Sequence, residues 1–406
     1  RRPCFQENML AALATAASSA PHQNTAALQP GEPEQLLIPP DANLVSPHID
    51  LDKWSVRHGV PSRLRATVNV SLWTSPTGRM VESVRTRTDP AFVFAYNPFD
   101  KDMQDMLGSL VLEPALTRAW HETTWECCAA PDGLVVDVGG NYGYYTLYSA
   151  ALGCSVVVFE PVDAYQEIMR LGLALNPGFA SKVRLFGNVV YDLPGEYDLN
   201  VPTPTPRKPL ALGMTGMAGI AGVLKTTHTV STTVKARAMR IDDVVRQDVC
   251  LLKADVEGYE PQVVQTAAQL LNRRRVGSVQ IELSHTNDSR NQTCAAVQML
   301  KQLDALGFEL RQVTSGEAHM PHMVEGGSGK STAAGAWRTA PSVWAGMHRF
   351  PSNAERGMAE AYELDFKTYS TNLVGRRRAE WVAGSVPPWP LLGEDCVRQQ
   401  ASRKPR

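Results

Sequence analysis

From residue 91 onward the apolar residues of this chain fall into short unbroken runs, separated by stretches with a wider spacing. LVVDV at 134–138, SVVVFE at 155–160 and VRLFG at 183–187 are runs of the first kind. Short β-branched runs suit strands buried on both faces, as in a parallel sheet. Between them, 143–152 and 162–175 place apolar residues at helical intervals. Strand alternating with helix implies parallel pairing through right-handed crossovers. The rhythm resumes with CLLKA at 250–254, a helix over 261–274 opened by Pro261, and a strand, VGSVQIEL, at 276–283. A helix, a stop at Gly307 and a strand to Val313 follow. AFVFAY at 91–96 predicts an earlier strand, and 101–128 predicts helices, the second starting at Pro114. SVWAGMHRF at 342–350 reads as the closing strand, and residues 351–406 as a tail with one helix, whose Arg376–Arg378 triplet forms a solvated face. Residues 188–240 interrupt the alternation: NVVYDLPGEYDLNV predicts strand–turn–strand, and STTVKARAM at 231–239 a strand. The Gly/Pro/Thr-rich stretch between them is read as a surface insertion rather than a substrate lid.

Polar residues at the strand ends add chemistry to this frame. Gly139, Gly140, Asn141 and Gly143 follow the first strand and precede a helix. Glycines there permit a sharp turn and close approach of a ligand to the main chain, and N–H groups at the helix start face that ligand. The spacing G-G-N-Y-G is not the G-x-G-x-x-G of a dinucleotide fingerprint, which disfavours an NAD-dependent oxidoreductase. Glu160 ends the next strand, about twenty residues on, where a Rossmann-type sheet sets a carboxylate against ribose hydroxyls. A solvated strand-end acid is an equal reading of Glu160. Asp137, inside the first strand, orients the turn by accepting hydrogen bonds.

DVGGNYGYYT (137–146), VVVFEPVDAYQEIMRLGLALNP (156–177), LLKADVEGYEPQVVQTAAQLL (251–271) and VQIELS (279–284) resemble, in order and spacing, the FkbM-type S-adenosylmethionine-dependent methyltransferases. The Lys-x-DVEG segment is the most specific of these, and the resemblance spans roughly residues 90–312. Gly140 stands where the family often has Ala. The resemblance implies a Rossmann-like class I methyltransferase sheet with helices on both faces, with S-adenosylmethionine as cofactor. It also implies O-methylation of a small molecule or a glycan hydroxyl. Asp137, Gly139, Gly140, Asn141, Gly143 and Glu160 are then the cofactor-binding set. The alternative is a Rossmann-like binding protein that has lost methyl transfer.

A base for a hydroxyl acceptor belongs at the carboxyl ends of the strands. Asp255, Glu257 and Glu282 meet that condition, and His285 follows three residues later, so these four are the catalytic candidates. Crowded carboxylates raise one pKa, which suits a general base. The same acids with His285 suit a divalent cation, although methyl transfer requires no metal and none is assigned. Taken alone, Asp255 and Glu257 read as caps of the helix at Pro261, and His285 as a loop residue. Lys253 lies in an apolar strand and needs a partner, Asp137 or Asp255, so it reads as structural.

Composition narrows the rest. Lys and Arg total 40 against 41 Asp and Glu, which argues against nucleic acid as a partner. No stretch has the roughly 18 uninterrupted apolar residues of a membrane span. GGSGKS at 326–331 lacks the first glycine of a phosphate loop, Val324 standing in its place. The seven cysteines are too few for a dense disulfide framework; Cys127–Cys128 is a vicinal pair just before the first strand, and Cys154 and Cys250, which flank or begin core strands, read as buried small hydrophobes. Sequons at Asn69, Asn287 and Asn291 mildly favour a secretory route; the first residue is Arg1 rather than Met, so the lack of a signal segment in this sequence decides nothing, and secretory and cytoplasmic locations both stay open. The organisation expected is a low-complexity segment at 1–45, an N-terminal extension at 46–90 that packs on the domain, a methyltransferase domain at 91–350 with insertions at about 200–228 and 314–341, and the tail at 351–406. Oligomeric state is not legible.

Overall fold

The structure, a computed structural model, describes residues 70–75, 77–100, 103, 106–202, 219–220, 231–283, 290–313, 344, 347–349 and 371–379. The chain opens with strands β1 (Val70–Thr74), β2 (Met80–Arg85) and β3 (Val93–Tyr96), then helix α1 (Pro114–Cys128). β4 (Leu134–Val138), α2 (Tyr144–Leu152), β5 (Ser155–Phe159), α3 (Asp163–Leu175) and β6 (Val183–Phe186) form the first alternating unit. β7 (Val189–Val190), β8 (Glu196–Pro202), β9 (Gly219–Ile220) and β10 (Ser231–Met239) follow, with α4 (Ile241–Val244). The second unit is β11 (Val249–Ala254), α5 (Glu260–Thr266), α6 (Ala268–Arg273), β12 (Val276–Leu283), α7 (Arg290–Ala305) and β13 (Phe308–Val313). β14 (His348–Arg349) and β15 (Thr371–Arg377) end the described chain.

The large sheet runs β14-β13-β15-β12-β11-β4-β5-β6. From β12 to β6 every neighbour is parallel, whereas β15 pairs antiparallel with both β12 and β13. Side chains alternate across it as strand geometry demands. Val135, Val156, Val158 and Leu251 face one apolar core with Trp120, Leu147 and Met169 of α1 to α3. Val136, Val157, Phe159 and Leu252 face the other with Val263, Leu271 and Leu300 of α5 to α7. This is the Rossmann-like sheet with helices on both faces. The chain leaves β4 toward β5 and returns at β11 on its other side, so the switch point lies between β4 and β11.

Strands β1 to β3 form a separate antiparallel sheet that shares the first core, since Val81, Phe94 and Tyr96 pack in one cluster with Trp120 and Tyr148. Asn176, just past α3, ties it down: its side chain accepts the Val93 N–H at 2.9 Å and donates to the Val93 carbonyl at 2.7 Å. The 188–240 region builds a four-stranded sheet ordered β7-β10-β8-β9. The expected strand–turn–strand therefore does not close on itself, because β7 and β8 each pair with β10. The predicted 261–274 helix is split in two at Ala267.

Two sequence expectations are corrected. The closing strand is β15, not 342–350, of which only His348–Arg349 forms a two-residue edge pairing on β13. Arg376 and Arg377 accordingly lie on a strand rather than a helix face, and Arg377 stacks over the Phe308 ring at 4.4 Å. The signal was weak because TNLVGRR has two apolar side chains, which the neighbouring strands bury. The second correction concerns the cysteines: Cys127 is bonded to Cys250 and Cys128 to Cys154. The insertion stretch 203–218, the GGSGKS segment and all three sequon asparagines' side chains lie outside the described residues.

Because β15 is inserted between two strands, it supports both. Burying Leu373 and Val374 contributes roughly 1.5–3 kcal/mol each, and removing them also leaves two strand edges unpaired. A chain ending at residue 350 is expected to lose its cooperative thermal transition by circular dichroism. A sharp, parent-like melt would show that β15 is dispensable.

Candidate functional site

A cavity of about 590 Å³ opens at the carboxyl ends of β4 and β11. That is within the roughly 300–1,000 Å³ of small-molecule sites and at the position where open α/β sheets bind ligands. Gly139, Gly140, Asn141 and Tyr142 of the turn after β4 line it, as do Lys253, Asp255, Glu257 and Glu282. Leu112, Glu113, Tyr144 and Tyr145 also line it, and Phe94, Met103 and Met106 add apolar lining.

Lys253 is the only cation among the described lining residues, and it is 4 % exposed. Its Nζ lies 3.1 Å from Asp255 Oδ2 and 3.4 Å from Asp137 Oδ1, and it donates to the Gly139 carbonyl at 3.0 Å. Burial pulls the Lys253 pKa down, but Asp255 and Asp137 outweigh it and hold the ammonium form. Both partners considered from sequence are thus engaged. The other oxygen of Asp137 accepts the Thr146 hydroxyl at 2.7 Å, which anchors α2.

The glycine turn differs from the sequence picture. The N–H groups of Gly139 and Gly140 both donate to the Phe159 carbonyl, and that of Asn141 to Glu160 Oε2 at 2.7 Å. These three amides are therefore turned into the fold, and what the turn offers a ligand is bare backbone. A Cβ on Gly139 would overlap the Asp255 carbonyl oxygen, so this glycine is required where β4 and β11 nearly touch. Gly143, with φ +86°, caps α2 and faces the side chain of Met169 rather than the cavity. Glu160 is buried, its other oxygen accepting the Val162 N–H at 2.9 Å. Of the proposed cofactor residues, then, Gly139, Gly140 and Asn141 line the cavity, while Asp137, Gly143 and Glu160 stand behind it.

The catalytic candidates Asp255, Glu257 and Glu282 converge on the cavity, and His285 lies outside the described residues. The charge of Asp255 first, then burial, then Glu113 and Glu257, push the Glu282 carboxyl well above the ordinary carboxylate range. Glu260, not singled out from sequence, organises this loop: it accepts the N–H of Val256 at 3.1 Å and of Gly258 at 2.9 Å. Its place beside Pro261 at a helix start was the visible signal. Glu113, also missed, sits at the N-cap of α1 but makes no capping bond, and takes the Tyr145 hydroxyl at 2.9 Å instead.

Backbone strain concentrates here. Glu113, Asn141 and Glu257, with φ of 40°, 48° and 56°, are non-glycine residues in the left-handed region, and all three line the cavity. Such conformations cost on the order of 1–3 kcal/mol each and persist where the surroundings over-determine them, often at functional sites.

Residues 137–310 match the methyltransferase FkbM domain. No curated protein matches the chain. Among solved structures it is similar to a methyltransferase FkbM from Methylobacillus flagellatus KT, at 16% identity, covering 37% of this chain and 33% of that one, with a TM-score of 0.26. This chain thus spans about a third of that relative's length. An O-methyltransferase from Bacillus cereus in complex with SAH gives 12% identity, 65% and 81% coverage and a TM-score of 0.29. A precorrin-6y C5,15-methyltransferase from Geobacter metallireducens GS-15 gives 12%, 48% and 73%, and 0.24.

Two predictions follow from the buried charges. Lys253→Ala strands Asp137 at 1 % exposure without its counter-charge, and is expected to destabilise the fold by about 3–5 kcal/mol in urea unfolding. A loss under 1 kcal/mol would show that the pair is not a structural anchor. Burial raises Glu160 to about 8 and Glu260 to about 7 from an ordinary 4.5. The folded state therefore holds protons that the unfolded chain releases, so stability is fully present below 4.5 and declines as pH rises through about 7 to 8. Glu160→Gln should flatten the upper part of that decline, and an unchanged slope would exclude Glu160 as its source.

Proposed function

We propose, from the FkbM methyltransferase domain that residues 137–310 form, that this chain transfers a methyl group from S-adenosylmethionine to an oxygen of a small molecule or glycan. The observation that carries the reading is the charge of the cavity wall. Among the described lining residues Glu113, Asp255, Glu257 and Glu282 stand with one lysine, itself neutralised by Asp137 and Asp255. Such a wall suits a ligand bearing a sulfonium and an ammonium, and repels phosphate-rich dinucleotides. When bound, S-adenosylmethionine supplies an activated methyl group, so the protein's task is positioning and proton removal.

Each residue then has a part. Gly139, Gly140 and Asn141 let the cofactor lie against the main chain, with Glu160 holding that turn from behind. Glu282, whose pKa the charge of Asp255 and then burial raise, takes the proton of the acceptor hydroxyl at its carboxylate. Asp255 keeps Glu282 basic by its charge and is itself fixed by Lys253. Glu257 lies beside them on a strained turn that Glu260 clamps, and His285 belongs to the same proposed group by sequence. No metal is needed for this chemistry.

Calorimetric titration with S-adenosylmethionine tests the reading, with saturable binding expected. Absence of binding by folded protein, or binding of NAD instead, would reject it. Glu160→Ala is expected to weaken cofactor affinity by about 1–3 kcal/mol. Glu282→Gln should retain cofactor binding but lower transfer of labelled methyl into extract acceptors by about 10²–10⁴-fold. Undiminished transfer would remove Glu282 as the base. Binding without transfer by the parent chain would mark a binding protein.

A further inference from the structure

Four cysteines from three elements meet at the end of the sheet opposite the cavity. Cys127 and Cys128 close α1, Cys154 immediately precedes β5, and Cys250 lies at the start of β11. The Cα atoms of Cys127 and Cys250 are 5.7 Å apart and those of Cys128 and Cys154 4.4 Å, within the range a disulfide spans. Glycines make this approach available. A side chain on Gly133 would press on the Cys127 carbonyl, one on Gly153 on that of Cys128, and one on Gly277 on that of Cys250. The two bonds are not isolated from each other: Cys154 Sγ and Cys250 Sγ, one from each, are 3.9 Å apart. Access is one-sided, because Cys127 is exposed while Cys128, Cys154 and Cys250 are buried.

We propose that these cysteines form a thiol–disulfide exchange site, in which a dithiol opens Cys127–Cys250 and the cluster re-pairs as Cys154–Cys250, freeing Cys127 and Cys128. Exchange proceeds by attack of a thiolate on a disulfide sulfur. A thiolate of the dithiol attacks the sulfur of Cys127, the exposed residue of the four, the bond to Cys250 breaks, and Cys250 leaves as a thiolate. That thiolate attacks the neighbouring Cys154 sulfur, forming Cys154–Cys250 and expelling Cys128, which takes a proton. The second sulfur of the dithiol then attacks its own partner in the mixed disulfide and releases Cys127, which also takes a proton. In sum the dithiol becomes a disulfide, giving up two electrons and two protons, and the protein's two disulfides become one plus two thiols.

The consequence is directional. Before exchange, α1 is covalently fastened to the residue leading β5 and to the second residue of β11; afterwards those two strands are fastened to each other across β4, and α1 is free of both bonds. α1 carries Pro114 at its other end, beside Glu113, and both line the cavity. The site thus links thiol status at one end of the sheet to a wall of the cavity at the other. This inference does not depend on the methyl-transfer reading.

The full chain treated with one equivalent of dithiothreitol, quenched by alkylation and mapped by peptide mass spectrometry, should show Cys127 and Cys128 alkylated and Cys154 linked to Cys250. Alkylation of Cys127 and Cys250 with Cys128–Cys154 intact would overturn the exchange step. So would untreated protein carrying four free thiols and one equivalent of zinc, which would make the cluster a metal site. Cys127→Ser isolates the second step. It leaves Cys250 as a thiol beside Cys128–Cys154, and is expected to show Cys154–Cys250 with Cys128 alkylated in the absence of any reductant. Retention of Cys128–Cys154 in that variant would overturn the proposal.

Discussion

The cavity depends on one buried ammonium group. Lys253 draws together Asp137 of β4, Asp255 just beyond β11 and the carbonyl of Gly139, so it joins the two strands that flank the topological switch. A lone lysine in this position would be costly, and so would either aspartate. Together they satisfy one another and bring the ends of β4 and β11 so close that only glycine fits at position 139. The turns that leave these strand ends bring Gly139, Gly140, Asn141, Asp255 and Glu257 into the cavity lining.

Around that anchor the fold holds several backbone segments in conformations they would not choose alone. Glu257 is left-handed, and Glu260 closes over its loop with two hydrogen bonds. Asn141 is left-handed, and Glu160 holds its amide in the same manner. In both cases a carboxylate one strand-end or a few residues away, buried from water, fixes the turn. Both carboxyls are pushed upward by that burial, so the same groups that define the site make its stability sensitive to pH.

The opposite end of the sheet is fastened covalently. Helix α1 spans the two ends, with Glu113 and Pro114 at the cavity and the vicinal cysteines at the disulfides. Packing of Trp120 against Tyr145, with ring centroids 4.6 Å apart, connects the helix to α2 midway. The tyrosines after the glycine turn therefore bind the N-terminal wall of the cavity to the sheet, in addition to lining it.

What the sequence determined by itself is the alternation of elements. Unbroken runs such as Leu134–Val138 and Val276–Leu283 are strands at those bounds, because burial on both faces leaves no other use for so apolar a stretch. A cavity at the ends of those strands was legible for the same reason, as were the convergence of Asp255, Glu257 and Glu282 on it and the partners of Lys253. Tertiary structure decided whatever depends on contacts distant in the chain. β15 has too few apolar residues to announce itself, and is a strand because β12 and β13 leave a gap that its backbone fills. Cysteine spacing cannot give pairing: Cys127 and Cys250 are separated by 123 positions and meet only through the order of strands in the sheet. The role of a glycine likewise depends on what faces it: Gly139 meets a neighbouring carbonyl, whereas Gly143 meets Met169. Local propensity writes the elements, but which side chain faces a ligand and which faces the core is fixed only when the strands are set side by side.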